Sequence, residues 1–90
     1  MKKFIIERGV TGIGAKDQKG LSAVANQSNQ ALAKLSPRIQ WQESFVTDDK
    51  TFCIYLAEDE AVIREHARLS GFPANVITEV RAVIDPATAS

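Results

Sequence analysis

Cysteine is nearly absent from this chain: Cys53 is the single one in 90 residues, and there is likewise one histidine and one tryptophan. A lone thiol excludes an intrachain disulfide and a cysteine-rich zinc site, whose ligands come in sets. An excess of either charge is also missing, since eleven Lys and Arg balance eleven Asp and Glu. Binding nucleic acid by neutralising phosphates needs a basic surface, so no nucleic-acid partner is expected. Long apolar runs are lacking too. Phe4-Ile5-Ile6 is bounded by Lys3 and Glu7, too short for a signal peptide or a membrane span, and a cytoplasmic setting without membrane contact is expected. No repeat and no low-complexity tract occurs. With 44% hydrophobic and 24% charged residues, the composition is that of an ordinary globular protein rather than a disordered one.

What is present suits one small domain over residues 1–90, with 85–90 as a tail. A chain this short buries only about 60–65% of its unfolded surface, so oligomerisation would cover apolar area that one copy leaves bare. Lys3 to Arg8 has strand alternation, with Phe4 and Ile6 on one side. Gly9-Val10-Thr11-Gly12-Ile13-Gly14 follows as a loop. Its G-x-x-G-x-G spacing matches neither the dinucleotide fingerprint nor a phosphate-binding Walker loop, so a flexible connection is the plain expectation. Leu21, Val24, Ser28, Ala31, Leu32 and Leu35 recur at helical spacing over about Lys16 to Leu35, and Ser36-Pro37 ends that helix.

Ile39 to Glu58 forms two strands around a Thr47-Asp48-Asp49-Lys50 turn. Asp59-Glu60 suits the positive end of a second helix, about Asp59 to Ser70, with Val62, Ile63, His66 and Ala67 inward. Gly71 and Pro73 stop it. A last strand spans about Val76 to Ile84. The order strand, helix, strand, strand, helix, strand predicts an α+β ferredoxin-like βαββαβ fold, an antiparallel four-stranded sheet with both helices on one face. Phe4, Ile6, Phe52, Ile54, Leu56, Val80, Ala82 and Ile84 are expected to face the helices. The opposite face, with Ile5, Cys53, Tyr55, Ile77 and Val83, is too apolar for full solvation, which argues for a homodimer packed sheet to sheet.

Glu43 interrupts the inward row Ile39, Trp41, Phe45. A buried carboxylate must be paired, and His66 and Arg64 on the second helix are the available partners; a β-bulge would instead turn Glu43 outward. A Glu43–His66 pair could ligate a divalent metal or act as acid and base. One imidazole needs further ligands, for which Glu58, Glu60 and Glu79 offer oxygens. Cys53 is expected to be an inert buried thiol, Trp41 a core residue, and Tyr55 a hydrogen-bond donor to a bound molecule or a partner subunit. Glu79 and Arg81 point the same way along one strand, where ion pairing is the plain reading.

Trp41 to Phe45, Lys50 to Tyr55, Ile63-Arg64-Glu65-His66-Ala67, Gly71-Phe72-Pro73 and Glu79-Val80, taken in order, resemble a widespread family of small bacterial proteins long filed as a domain of unknown function. One actinobacterial member of it is known as a nickel-binding protein. The family tends to have Pro where this chain has Thr11. The resemblance implies a ferredoxin-like fold, a dimer, and nickel bound through His66 with carboxylates. Two functions are then expected to compete. One is a dimeric divalent-metal-binding protein, possible ligands His66, Glu43 and Glu79. The other is a cofactor-free enzyme or small-molecule-binding protein using Glu43, His66 and Tyr55 in a pocket between sheet and helices.

Overall fold

Alternation and capping lay down the elements. β1 covers Lys2–Gly9, α1 Gln18–Ala33, β2 Ile39–Val46, β3 Lys50–Ala57, α2 Glu60–Ser70 and β4 Val76–Val80. They come from a computed structural model that describes residues 1–89; Ser90, the last residue of the expected tail, lies outside them. The strands form one antiparallel sheet in the order β2-β3-β1-β4, which is the expected ferredoxin-like α+β arrangement. Asp17 caps α1 by accepting from the Gly20 amide at 2.9 Å. Asp59 does the same for α2 through Val62 at 2.9 Å, and Gly71, at φ 81°, closes α2 in the left-handed conformation that favours glycine. Phe4 and Ile6 of β1, Cys53 and Tyr55 of β3, Val62 and Ile63 of α2, and Leu35 and Ile39 make the core.

The register corrects which row of the hairpin faces inward. Tyr55 pairs with Phe4 and Cys53 with Ile6, and directly paired residues share a face. Cys53 and Tyr55 therefore lie under the helices, while Phe52, Ile54 and Leu56 are half-buried on the open side. Both rows of β3 are apolar, so alternation alone could not rank them; pairing with Phe4 and Ile6 did. The same holds for β4. Ile77 pairs with Ile6 and Glu79 with Phe4, placing these on the helix side and Val76, Thr78 and Val80 on the open side. β4 also ends at Val80 rather than Ile84. It is an edge strand, Val80 pairs with Lys3, and β1 has almost run out there, so the exposed Val83 and Ile84 have no strand to join.

The glycine loop is anchored rather than loose. Val10 and Gly14 amides donate to the carbonyls of Asp49 and Asp48 at 2.9 and 3.0 Å, and the Gly12 amide donates to Asp49 Oδ1 at 2.9 Å. The loop thus docks on the β2–β3 turn, and the buried Ile13 plugs the sheet's end beneath it.

Candidate functional site

Arg8 ends the inward row that Phe4 and Ile6 begin, so strand alternation drives a guanidinium under the helices, where it is 3% exposed. One amino group, Nη1, donates to the carbonyls of Phe72 at 3.3 Å and Pro73 at 2.9 Å. The other, Nη2, reaches Tyr55 Oη at 3.5 Å and His66 Nδ1 at 3.4 Å. The Arg8 guanidinium also stands 5.9 Å from the centre of the Tyr55 ring. Every one of these acceptors is neutral. The ion pairs among the described residues join other groups, so Arg8 is a buried cation without a carboxylate, an arrangement that ordinarily carries a large desolvation cost.

An arginine can only donate. His66 Nδ1 must then be the acceptor, and its proton sits on Nε2, which donates to Ser28 Oγ at 3.2 Å. His66 is fully buried. Burial first, and the Arg8 charge second, push its pKa down to about 4, against an opposing pull from the Ser28 backbone. Tyr55, tilted against the His66 ring at 5.5 Å between centres, has its pKa raised by burial, with Arg8 partly offsetting that. At neutral pH the group is therefore one cation, one neutral imidazole and one protonated phenol.

Arg8, Tyr55 and Ser28 line a cavity of about 160 Å³ between α1 and the sheet. Its remaining wall is largely apolar: Ile13 from the glycine loop, Leu21, Val24 and Ala25 from α1, Trp41 from β2 and Phe72 from the turn after α2. Val46, 43% exposed, also borders the cavity and marks the end nearer solvent.

Glu43 is not part of this group. A β-bulge between Trp41 and Glu43 shifts the register so that Trp41 pairs with Tyr55 and Glu43 with Ile54. Ile54 belongs to the open side, so Glu43 is exposed there, and Ser44 turns inward in its place, accepting from Trp41 Nε1 at 2.9 Å. The expected Glu43–His66 pair is thereby split across the two faces of the sheet. Arg64 pairs with Glu60 at 2.9 Å on the surface, and Arg38 binds Glu58 at 2.6 Å. Glu79 is engaged by Arg81 at 2.9 Å and Lys2 at 4.0 Å. Cys53 is buried and free, 3.5 Å from Thr51 Oγ1.

These positions do not fit a nickel ion held by His66, Glu43 and Glu79 of one chain. The lone pair of His66 faces a guanidinium, and its other nitrogen carries the proton. Among the described residues no three His, Cys, Asp or Glu side chains cluster closely enough to hold a metal. Sequence reasoning placed His66 and Tyr55 near a pocket between sheet and helices, where the structure has them side by side. It missed Arg8 and Ser28. The signal for Arg8 was the alternation of β1 continued by two positions, and for Ser28 its place in the apolar stripe of α1.

A family model described as "Nickel responsive protein SCO4226-like" matches residues 4–80. No curated protein matches the chain. Among solved structures, the crystal structure of SCO4226 from Streptomyces coelicolor A3(2) superposes with a TM-score of 0.70 at 20% sequence identity, covering 91% of this chain and 99% of that one. At that identity the likeness speaks for the fold.

Proposed function

The chain belongs to the SCO4226-like family of nickel-responsive proteins, and from that premise we propose that it is a homodimeric binding protein of a nickel response, holding a small molecule in the cavity between α1 and the sheet. The observation that carries this reading is the cavity itself, a largely apolar chamber whose wall includes the buried Arg8, Tyr55 and Ser28. Catalysis without a cofactor is the weaker use of the same groups. An imidazole with a pKa near 4 is a poor general base at neutral pH, and the carboxylate that would orient it is on the other side of the sheet. A cytoplasmic setting agrees with the free, buried thiol of Cys53, and no helix among the described residues is long and apolar enough to cross a membrane.

Trp41 lines the cavity and is the chain's only tryptophan, so its fluorescence reports occupancy. A cavity of about 150 Å³ lined by hydrocarbon accepts benzene, which makes toluene a suitable probe. Toluene is expected to change Trp41 emission saturably, and Ala25→Leu, which fills the space from α1, to abolish the change. A folded wild-type protein whose emission ignores toluene would remove the cavity reading.

The family's description favours a second reading, direct binding of nickel. A sheet-to-sheet dimer would pool the carboxylates of the open face, Glu43 first, while leaving His66 out. Calorimetric titration with Ni²⁺ then gives saturable heat in the wild type and in His66→Gln, and none in Glu43→Gln. A wild-type protein that gives no heat does not bind the ion, and its place in the response would come through another component.

A further inference from the structure

Arg8, Tyr55 and Ser28 form a linked polar part of the cavity wall. Nη2 of Arg8 donates towards Tyr55 Oη and His66 Nδ1, and His66 Nε2 donates to Ser28 Oγ. Donation therefore runs outward from the guanidinium to the hydroxyls of two residues that line the cavity. A hydroxyl hydrogen rotates to suit its partner, so Tyr55 and Ser28 can each turn one towards a bound acceptor. The Nη2 contacts, at 3.5 and 3.4 Å, are longer than the usual 2.9–3.0 Å of an N–H···O bond. The Nη1 contact to Pro73, at 2.9 Å, is of ordinary length. One end of Arg8 thus pins the turn after α2, and the other is held loosely at the cavity wall.

We propose that this cavity binds a small monocarboxylate with a compact hydrocarbon body, its carboxylate against Arg8, Tyr55 and Ser28 and its body against the apolar wall. The proposal rests on the cavity reading above and names its ligand class. A carboxylate would accept from the Arg8 Nη2 group and from a hydroxyl proton, converting long contacts to neutral acceptors into charge-assisted bonds. It would also supply the countercharge that the buried guanidinium lacks. One cation matches one negative charge; a dianionic phosphate would bring a second with no partner. The volume and the Ile13, Leu21, Val24, Trp41 and Phe72 lining suit a ring or branched chain about the size of benzene. Gly71-Phe72-Pro73, conspicuous in the sequence, gains a role here. Phe72 lines the wall, and its carbonyl helps hold the arginine.

Benzoate, toluene and inorganic phosphate, titrated against the full chain and followed by Trp41 emission, test the proposal. Benzoate is expected to bind about tenfold or more tightly than toluene, as a hydrogen-bonded charge should, and phosphate to compete weakly. Arg8→Met should remove the advantage of benzoate and leave toluene within about threefold of wild type, a shift in selectivity that loss of a merely structural contact would not give. If Arg8→Met does not fold, Tyr55→Phe and Ser28→Ala carry the test, each weakening benzoate and sparing toluene. Benzoate binding no tighter than toluene, phosphate displacing benzoate at lower concentration, or a folded Arg8→Met that still prefers benzoate would each overturn the monocarboxylate. Toluene binding without benzoate leaves the cavity reading standing and removes the anion; binding of neither removes both.

Discussion

A fully buried imidazole with a guanidinium at 3.4 Å has little reason to take up a proton. His66 is held near pKa 4 in the folded chain against 6.5 as the ordinary value. Between these two values the unfolded chain binds a proton that the folded chain refuses, so acid favours unfolding. The stabilisation is complete above pH 6.5 and is lost as pH falls through about 4, up to about 3 kcal/mol for a buried group with this shift. Urea unfolding across that range is expected to show the loss in wild type and to lack this component in His66→Gln. An NMR titration placing His66 at 6.5 or above would contradict the burial and the Arg8 contact together. The same residue-scale logic argues against His66 as a metal ligand within one chain, since its free lone pair points at a cation.

Two elements are set by single backbone positions. In β2 the bulge after Trp41 reverses every later residue, which takes Glu43 to the open side and brings Ser44 in. In the glycine loop, the Cβ of an alanine at Gly14 would sit 2.6 Å from the Thr47 carbonyl oxygen and 2.7 Å from Asp48 Cα, both backbone atoms that cannot swing aside. Gly14→Ala is expected to cost about 1–3 kcal/mol in urea denaturation. Gly9→Ala is the control, because its Cβ would meet only Asn75 Oδ1 at 3.5 Å, an ordinary contact. Equal stability in the two variants would show that the loop does not need its close approach to the hairpin turn. Because Ile13 borders the cavity, Gly14→Ala should also weaken toluene binding.

At the scale of the molecule, the sheet has one side covered by helices and one bare. Ile5, Phe45 and Val76 are 37%, 55% and 47% exposed on the bare side, with Phe52, Ile54 and Leu56 half-buried among them. Glu7 and Lys50, paired at 2.7 Å, and Glu43 stand in the same surface. A contiguous apolar sheet face favours a second copy over water. Ile54→Lys, at the middle of β3, is expected to convert a dimer to a monomer in sedimentation velocity while leaving the cavity on the other side able to bind toluene. Wild-type protein that sediments as a monomer would remove the dimer.

Element order, helix boundaries to within about two residues, and the fold were legible in the residues alone, because periodicity, the Asp59-Glu60 start and the Gly71 stop are local signals that need no partner. It also put His66 on the inner side of α2, since helical phase alone decides that. Which row of β3 and β4 faces inward was decided only by tertiary structure, because both rows are apolar and the choice comes from pairing with Phe4 and Ile6. The site was decided there as well. Arg8, Ser28, Tyr55 and His66 come from four elements, with separations of up to 58 residues between hydrogen-bonded partners, and only packing brings them together. Glu43, the most conspicuous charge in the sequence, was turned away by one extra residue in a strand, an event the side-chain pattern does not record.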